Sequence, residues 1–181
     1  MDFLPPIAHL ETIDRRELNR LLVAWGHRMG VYSRPTYTFE AHHALFSHGE
    51  PVAVTAAGET AREVVGQTGI RRDEAVELVR LCASRPDLCR PMLRLWREFV
   101  FPPIALMHGR TVAVSYQDEA LHSGDLYRFD GWQILGKGGG GGTDARTGRP
   151  SRKMKIWGWA SSEVARAQLR DRVTTDRRIA A

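Results

Sequence analysis

The chain has 181 residues, of which 43% are hydrophobic, 26% charged and 8% aromatic, the balance of one ordinary soluble domain with enough residues for a sizeable core. No run approaches the roughly 20 apolar residues that span a bilayer, and the opening MDFLPPIAHLETIDRREL lacks the basic-then-apolar layout of a signal peptide, so a soluble cytoplasmic protein is expected. Cys82 and Cys89 are the only cysteines, which excludes a disulfide framework or a four-cysteine zinc site and suits a reducing compartment. The net charge of +5 is uneven: the stretch from Lys137 to Ala181 holds eleven Lys/Arg against four Asp/Glu, whereas the preceding 136 residues hold 15 against 17. A basic tail of this kind can follow a phosphate backbone or simply face solvent.

The first predicted element is a helix from about Asp14 to Met29, with Leu18, Leu21, Leu22, Trp25 and Met29 at helical spacing, Asp14 and Glu17 placed as in a capping box, and Gly30 as the stop. Residues 36–46 alternate as a strand, and Ser47–Glu50 forms the turn to a second strand, PVAVTAA. AVELVRLCA, residues 75–83, suits a helix by composition and a buried strand by length. In SRPDLCRPMLRLWREFVFPPI, Asp87 is placed to cap a helix carrying Met92, Leu95, Trp96 and Phe99, with Pro102 and Pro103 as its end. TVAVSYQD then reads as a buried strand, LHSGDLYRFDGW as irregular or one or two helical turns, and WQILG as a strand. Residues 138–153 read as a flexible, glycine-rich basic loop, KMKIWGWAS as a returning strand, and 160–181 as a basic helix or frayed end. The expected fold is a mixed α/β single domain.

The densest group of reactive side chains lies in SYQDEALHSGDLYRFDGWQILG, residues 115–136. Polar groups directly after a buried strand sit on a rigid support with an exposed loop beyond them, a common place for chemistry in α/β folds. The same residues also suit a plain polar loop around one core tyrosine. Acyl transfer to an amine needs a neutral nucleophile, a proton acceptor, a proton donor and stabilisation of a developing oxyanion. Tyr127 is suited to act as acid, His122 or Asp118 as base, and Ser115 as a hydrogen-bonding group. Trp132 and the glycines 124 and 136 suit core packing and backbone geometry.

Ser115-x-x-Asp118, then His122-x-Gly124-x-x-Tyr127, then Trp132-x-x-x-Gly136, resembles the signature of the phage Mom-type DNA-modification proteins, a divergent branch of the GNAT-like acyltransferases. The detailed match covers residues 75–137, including the Arg80-Leu81 pair ahead of a loop and long helix. The resemblance implies a mostly antiparallel mixed sheet flanked by helices, with 75–83 as its central strand. It further implies an acyl donor such as acetyl-CoA, its pyrophosphate near the loop 84–90 and the helix start, with Arg80, Cys82, Arg85, Leu88, Cys89 and Arg90 as cofactor-side residues. GNAT enzymes usually have small residues in that loop where Leu88 and Arg90 stand here. The activity implied is modification of the exocyclic amine of adenine in DNA; the alternatives are an acyl-CoA-dependent N-acetyltransferase of small-molecule or protein amines, and a non-catalytic nucleic-acid-binding module.

Arg146, Arg149, Arg152, Lys153 and Lys155, with Trp157 beyond them, are the expected nucleic-acid contacts, combining charge with a stacking ring. His42, His43, His48 and Glu40 form a second polar group on the hairpin. Glu40 and His42 share a strand face and His43 opposes them, so only His42 and His48 stand as metal candidates, against the simpler reading of exposed hairpin residues.

Overall fold

The computed structural model describes residues 7–36, 38–138 and 152–179, and of 172–179 the backbone alone. Seven strands form mixed β-structure together with five α-helices among these residues. Two compact units are distinguished, Met1–Glu59 with Leu78–Val100 and Thr60–Glu77 with Phe101–Ala181.

In the first unit, β1 (Ala8–Thr12) pairs antiparallel with β2 (Glu40–Ser47), and β2 with β3 (Glu50–Gly58). The predicted hairpin therefore forms, its turn made by His48 and Gly49, both at positive φ, the arrangement whose twist suits a two-residue loop. Helix α1 (Arg15–Ala24) is capped by the Asp14 carboxylate, which accepts from the Glu17 amide. The Glu17 side chain pairs with Arg20 instead of completing a capping box. The helix stops at Trp25, before Gly26 at φ +65°, and not at Gly30; a left-handed glycine releases the chain one turn earlier than the apolar spacing suggests. Leu18, Leu21 and Leu22 are buried against Tyr32, Ala44, Val54, Ala56 and Cys82.

Residues 75–83 form a strand, β4 (Ala75–Ala83), not the helix that composition favours; burial of Ala75, Val76, Glu77 and Leu78 in succession is the burial of both faces that overrides intrinsic propensity. After a 3₁₀ turn at Pro86–Leu88 comes α2 (Cys89–Leu95), whose N-cap is Leu88, without a side-chain cap, rather than Asp87. A π-helical segment, Trp96–Val100, follows and leads into α3 (Phe101–Met107). Pro102 and Pro103 lie within α3 and do not end the helix. The π turn supplies the reason, because its longer ring re-registers the backbone just where prolines lack N–H donors. The extra residue also rotates the apolar stripe: Met92, Leu93 and Trp96 are buried, Phe99 is 66% exposed, and Val100 takes its place inside.

In the second unit the strands run in the order β4, β5 (Val112–Asp118), β7 (Met154–Trp159), β6 (Gln133–Gly138). β5 is parallel to β4 through three pairs, Ala75–Val112, Val76–Ala113 and Glu77–Val114, where the ladder ends. β7 is antiparallel to both β5 and β6. The core comprises Val65, Ile70, Ala75, Val112, Val114, Leu135, Ile156 and Leu169, the last from α5 (Glu163–Ile179). Each fully buried aliphatic of this kind contributes about 1.5–3 kcal/mol relative to exposure. α4 (Asp125–Arg128) is a single turn after β5. No helix among the described residues is long and apolar enough to cross a membrane.

Candidate active site

Strand alternation divides the polar residues of β5 between two faces. Ser115 and Gln117 lie on one, with Trp157 opposite Ser115 across the β7 ladder. Tyr116 and Asp118 lie on the other.

On the first face the side chains satisfy one another. Ser115 Oγ and Tyr127 Oη are 2.9 Å apart in a buried hydrogen bond, and the Tyr127 ring stacks on Trp157 and meets Trp132 edge-on, both at 5.4 Å. Trp157 Nε1 donates to Gln117 Oε1 at 2.7 Å, while Gln117 Nε2 donates to the carbonyl of His122. Gly124, at φ +84°, begins α4 and lets these groups close up: a Cβ there would lie 2.5 Å from Gln117 Oε1 and 2.8 Å from Trp157 Cζ2. Of the four residues predicted as catalytic, Ser115 and Tyr127 are thus in direct contact. The His122 side chain is exposed, and its backbone carries the link to Gln117.

Asp118 faces away from that pair. Its Oδ1 accepts from the Ala120 amide at 3.1 Å, and its Oδ2 lies 3.6 Å from Arg152 Nη1. On the same face of β5 a cavity of about 620 Å³ is lined by Arg62, Gln67, Glu77, Tyr116, Lys137 and Met154, with Ala61, Gly66 and Gly138. Glu77 is its only carboxylate-bearing residue among the described residues, 8% exposed and at the last pair of the β4–β5 ladder. Sequence reasoning passed over Glu77, although a glutamate inside AVELVRLCA was itself the signal, since a charge in a buried strand needs a reason.

The cofactor-side candidates belong to the first unit. Arg85 and Arg90 are exposed, and Arg85 is 3.1 Å from Asp87. In the first turn of α2 the Cys89 amide donates to the Pro86 carbonyl and Pro91 has no amide hydrogen, so the phosphate donors this segment offers are the Arg85 and Arg90 guanidinium groups. No residue of 84–91 is a glycine, so the close backbone cradle usual in such loops is replaced by side chains. Burial pushes the Cys82 thiol up to about 11, with the Cys89 charge adding to it, and burial likewise raises Cys89; neither is an activated nucleophile. Arg80 donates to the Val79 carbonyl and lies over the Tyr32 ring, 5.8 Å from its centroid.

Of the predicted nucleic-acid contacts, Arg146 and Arg149 lie outside the described residues. Arg152 and Lys155 pair with Asp118 and Glu119 at 3.6 and 3.2 Å, and Lys153 is exposed. Trp157 is 3% exposed and inside the Tyr127 stack, so its ring is a core element and not an open platform. His42 and His48 stand six residues apart along β2 and its turn, about 20 Å at strand rise, too far to share a metal ion. His42 is buried against Tyr32, 3.7 Å from Glu40, which Arg15 and Thr36 also bind. Desolvation lowers the His42 pKa against the pull of Glu40. Among the described residues no group of three His, Cys, Asp or Glu is placed to hold a metal.

No protein-family model matches the sequence, and no curated protein matches it. The fold does match solved structures. A probable acetyltransferase of Staphylococcus epidermidis is 10% identical, with a TM-score of 0.59 over 86% of this chain and 99% of that one. A candidate acetyltransferase of Salmonella typhimurium, solved with its cofactor acetyl-CoA, is 12% identical, with a TM-score of 0.57 over 87% and 96%. A mutant spermidine N-acetyltransferase of Vibrio cholerae is 9% identical, with a TM-score of 0.57 over 85% and 94%. At these identities the likeness establishes the fold, which is that of the GNAT acetyltransferases.

Proposed function

We propose that this chain is an acyl-CoA-dependent N-acyltransferase that acylates an amine. The observation that carries this reading is Glu77, a buried carboxylate at the end of the β4–β5 ladder that opens into a cavity large enough for a small amine. The acetyltransferase fold supplies the context.

An acyl thioester, when bound, supplies an electrophilic carbonyl and a thiolate leaving group. In the first unit, the Arg85 and Arg90 guanidinium groups would hold its phosphates. Glu77 takes the proton that the amine must shed to become a nucleophile. Tyr116 walls the cavity and orients the amine toward the strand edge. Tyr127 Oη, fixed by Ser115 Oγ and two tryptophan rings, holds a transferable proton on the other face of β5.

Adenine in DNA is a narrower acceptor within the same chemistry. Its support is the tail's composition, and the burial of Trp157 and the ion pairs of Arg152 and Lys155 weigh against it. The deciding experiment incubates the protein with acetyl-CoA and either a panel of small amines or duplex DNA, then analyses amines and nucleosides by mass spectrometry. Acetylated small amines are expected, with nucleosides unchanged. A modified adenosine with unchanged small amines would transfer the reading to DNA, and no product from either would overturn it.

A further inference from the structure

Gln117 is almost wholly buried on the Ser115 face of β5, and both ends of its amide are committed. Oε1 accepts from the Trp157 indole at 2.7 Å, and Nε2 donates to the His122 carbonyl. An indole N–H only donates and a carbonyl only accepts, so the two partners fix which end of the amide is which. They also restrict the residue type. A carboxylate could accept from the indole but not donate to the carbonyl, and a lysine or arginine could donate but not accept. Asparagine has the right groups and is one methylene short.

Both partners lead to Tyr127. Trp157 is the ring on which Tyr127 stacks, with centroids 5.4 Å apart. His122 ends the turn that leads into α4: its amide donates to the Asp118 carbonyl at 3.1 Å, and two residues on, the Gly124 carbonyl accepts from the Tyr127 amide at 3.1 Å. Gln117 therefore grips both the surface against which the phenol lies and the backbone from which it hangs. Gly124 leaves room for this grip, since a Cβ there would lie 2.5 Å from Gln117 Oε1.

We propose that Gln117 is a positioning residue for acyl transfer, holding the Tyr127 phenol where its proton can be given up. The phenolic O–H bond breaks as the proton passes to the leaving sulfur of the acyl donor, and water returns a proton to the phenolate. The role in turnover rests on the acyltransferase reading; the positioning itself is measured without turnover.

Two readouts on the full chain test it. The first is NMR of the protein isotope-labelled at tyrosine Cζ, in which the Tyr127 signal, one of four, is assigned by its loss in Tyr127→Phe. Gln117→Met, similar in length and without the amide, should shift the Tyr127 signal and leave the other tyrosines in place. The second is acetyl transfer to the best-bound amine of the panel. Gln117→Met should lower kcat about five-fold with KM for the amine unchanged, inside the loss caused by Tyr127→Phe. In the Tyr127→Phe background Gln117→Met should lower the urea midpoint and cost no further rate, because a residue that acts through Tyr127 has nothing left to position. Gln117→Asn provides a second variant should Gln117→Met fold poorly, and the same pattern is expected of it. A Tyr127 signal that stays in place in both variants, a kcat within about two-fold of wild type, or losses that multiply in the double variant would overturn the proposal. If the Tyr127 signal moves but the wild-type chain acylates no amine, the positioning stands and the acyltransferase reading falls. An active wild type whose Tyr127 signal and kcat are both unchanged in Gln117→Met gives the reverse.

Discussion

The two faces of β5 carry similar polar side chains and use them in opposite ways. On the Ser115 face, Ser115, Gln117, Tyr127 and Trp157 donate to and accept from one another or their neighbours and are almost wholly buried. On the Tyr116 face, Glu77 and Tyr116 open onto a cavity. A closed network fixes geometry, because each buried polar group it satisfies would cost free energy if left unmatched. A carboxylate beside a cavity is poised to exchange a proton with whatever enters. Reactivity is accordingly assigned to the cavity face and positioning to the closed one.

The largest expected effect tests that assignment directly. Glu77→Gln preserves shape and removes the proton acceptor, and should lower kcat by about 10²–10³-fold with little change in the urea midpoint; retention of more than a third of the activity would break the assignment. On the closed face the large effect is on folding. Gly124→Ala places a Cβ at a left-handed φ and against Gln117 and Trp157, and should cost about 2–3 kcal/mol of unfolding free energy, measured by denaturant titration. Wild-type stability would show that the network is looser than described.

Tyr127→Phe keeps both ring contacts and loses the bond to Ser115, so stability should fall by about 1 kcal/mol and kcat by about ten-fold, an effect between the acceptor and a bystander. Ser115→Ala should match it in stability and retain more activity, since the phenol remains. His42, in the first unit, gives a pH control. Burial lowers its pKa, so the unfolded chain binds its proton first as pH falls. Its contribution is complete above about pH 6.5, the ordinary histidine value, and is lost as pH drops from there toward the folded pKa. The urea midpoint should decline over that window, and less steeply in His42→Gln. The smallest effect is expected of Arg152→Gln, whose half-exposed pair with Asp118 should contribute less than about 1 kcal/mol.

Much of this was legible in the sequence where local pattern and burial agree. The Asp14 cap, the hairpin turn and the strands at 112–118, 133–138 and 154–159 follow from capping residues and alternation. Ser115 and Tyr127 were both singled out as site residues by motif spacing, whereas their hydrogen bond to each other depends on the turn at Gly124 and was not legible. Elements failed where a long-range or collective effect decides. β4 was left open between helix and strand by its residues alone, with composition leaning to helix because propensity is local whereas its pairing partners lie elsewhere in the chain; its length and the family resemblance pointed to the strand that forms. Pro102 and Pro103 read as a stop because a π turn has no simple residue signature. The strand at Ala8–Thr12 was missed because its burial is slight and its partner, β2, lies some thirty residues on. Within the site, His122 and Asp118 were chosen by residue type near Tyr127, and alternation along β5 then turned Asp118 to the opposite face. Glu77 was hidden in an apolar run whose strand identity had first to be established.

The central claim is that Glu77 takes a proton from an amine during acyl transfer. Its most direct measurement is the rate of acetyl transfer from acetyl-CoA to the best-bound amine across pH, for the wild-type chain and Glu77→Gln. The wild-type kcat/KM should fall on the acid side as the carboxylate and the amine protonate. In Glu77→Gln transfer should survive only at high pH, where the free amine needs no acceptor. Superimposable profiles in the two proteins would contradict the claim.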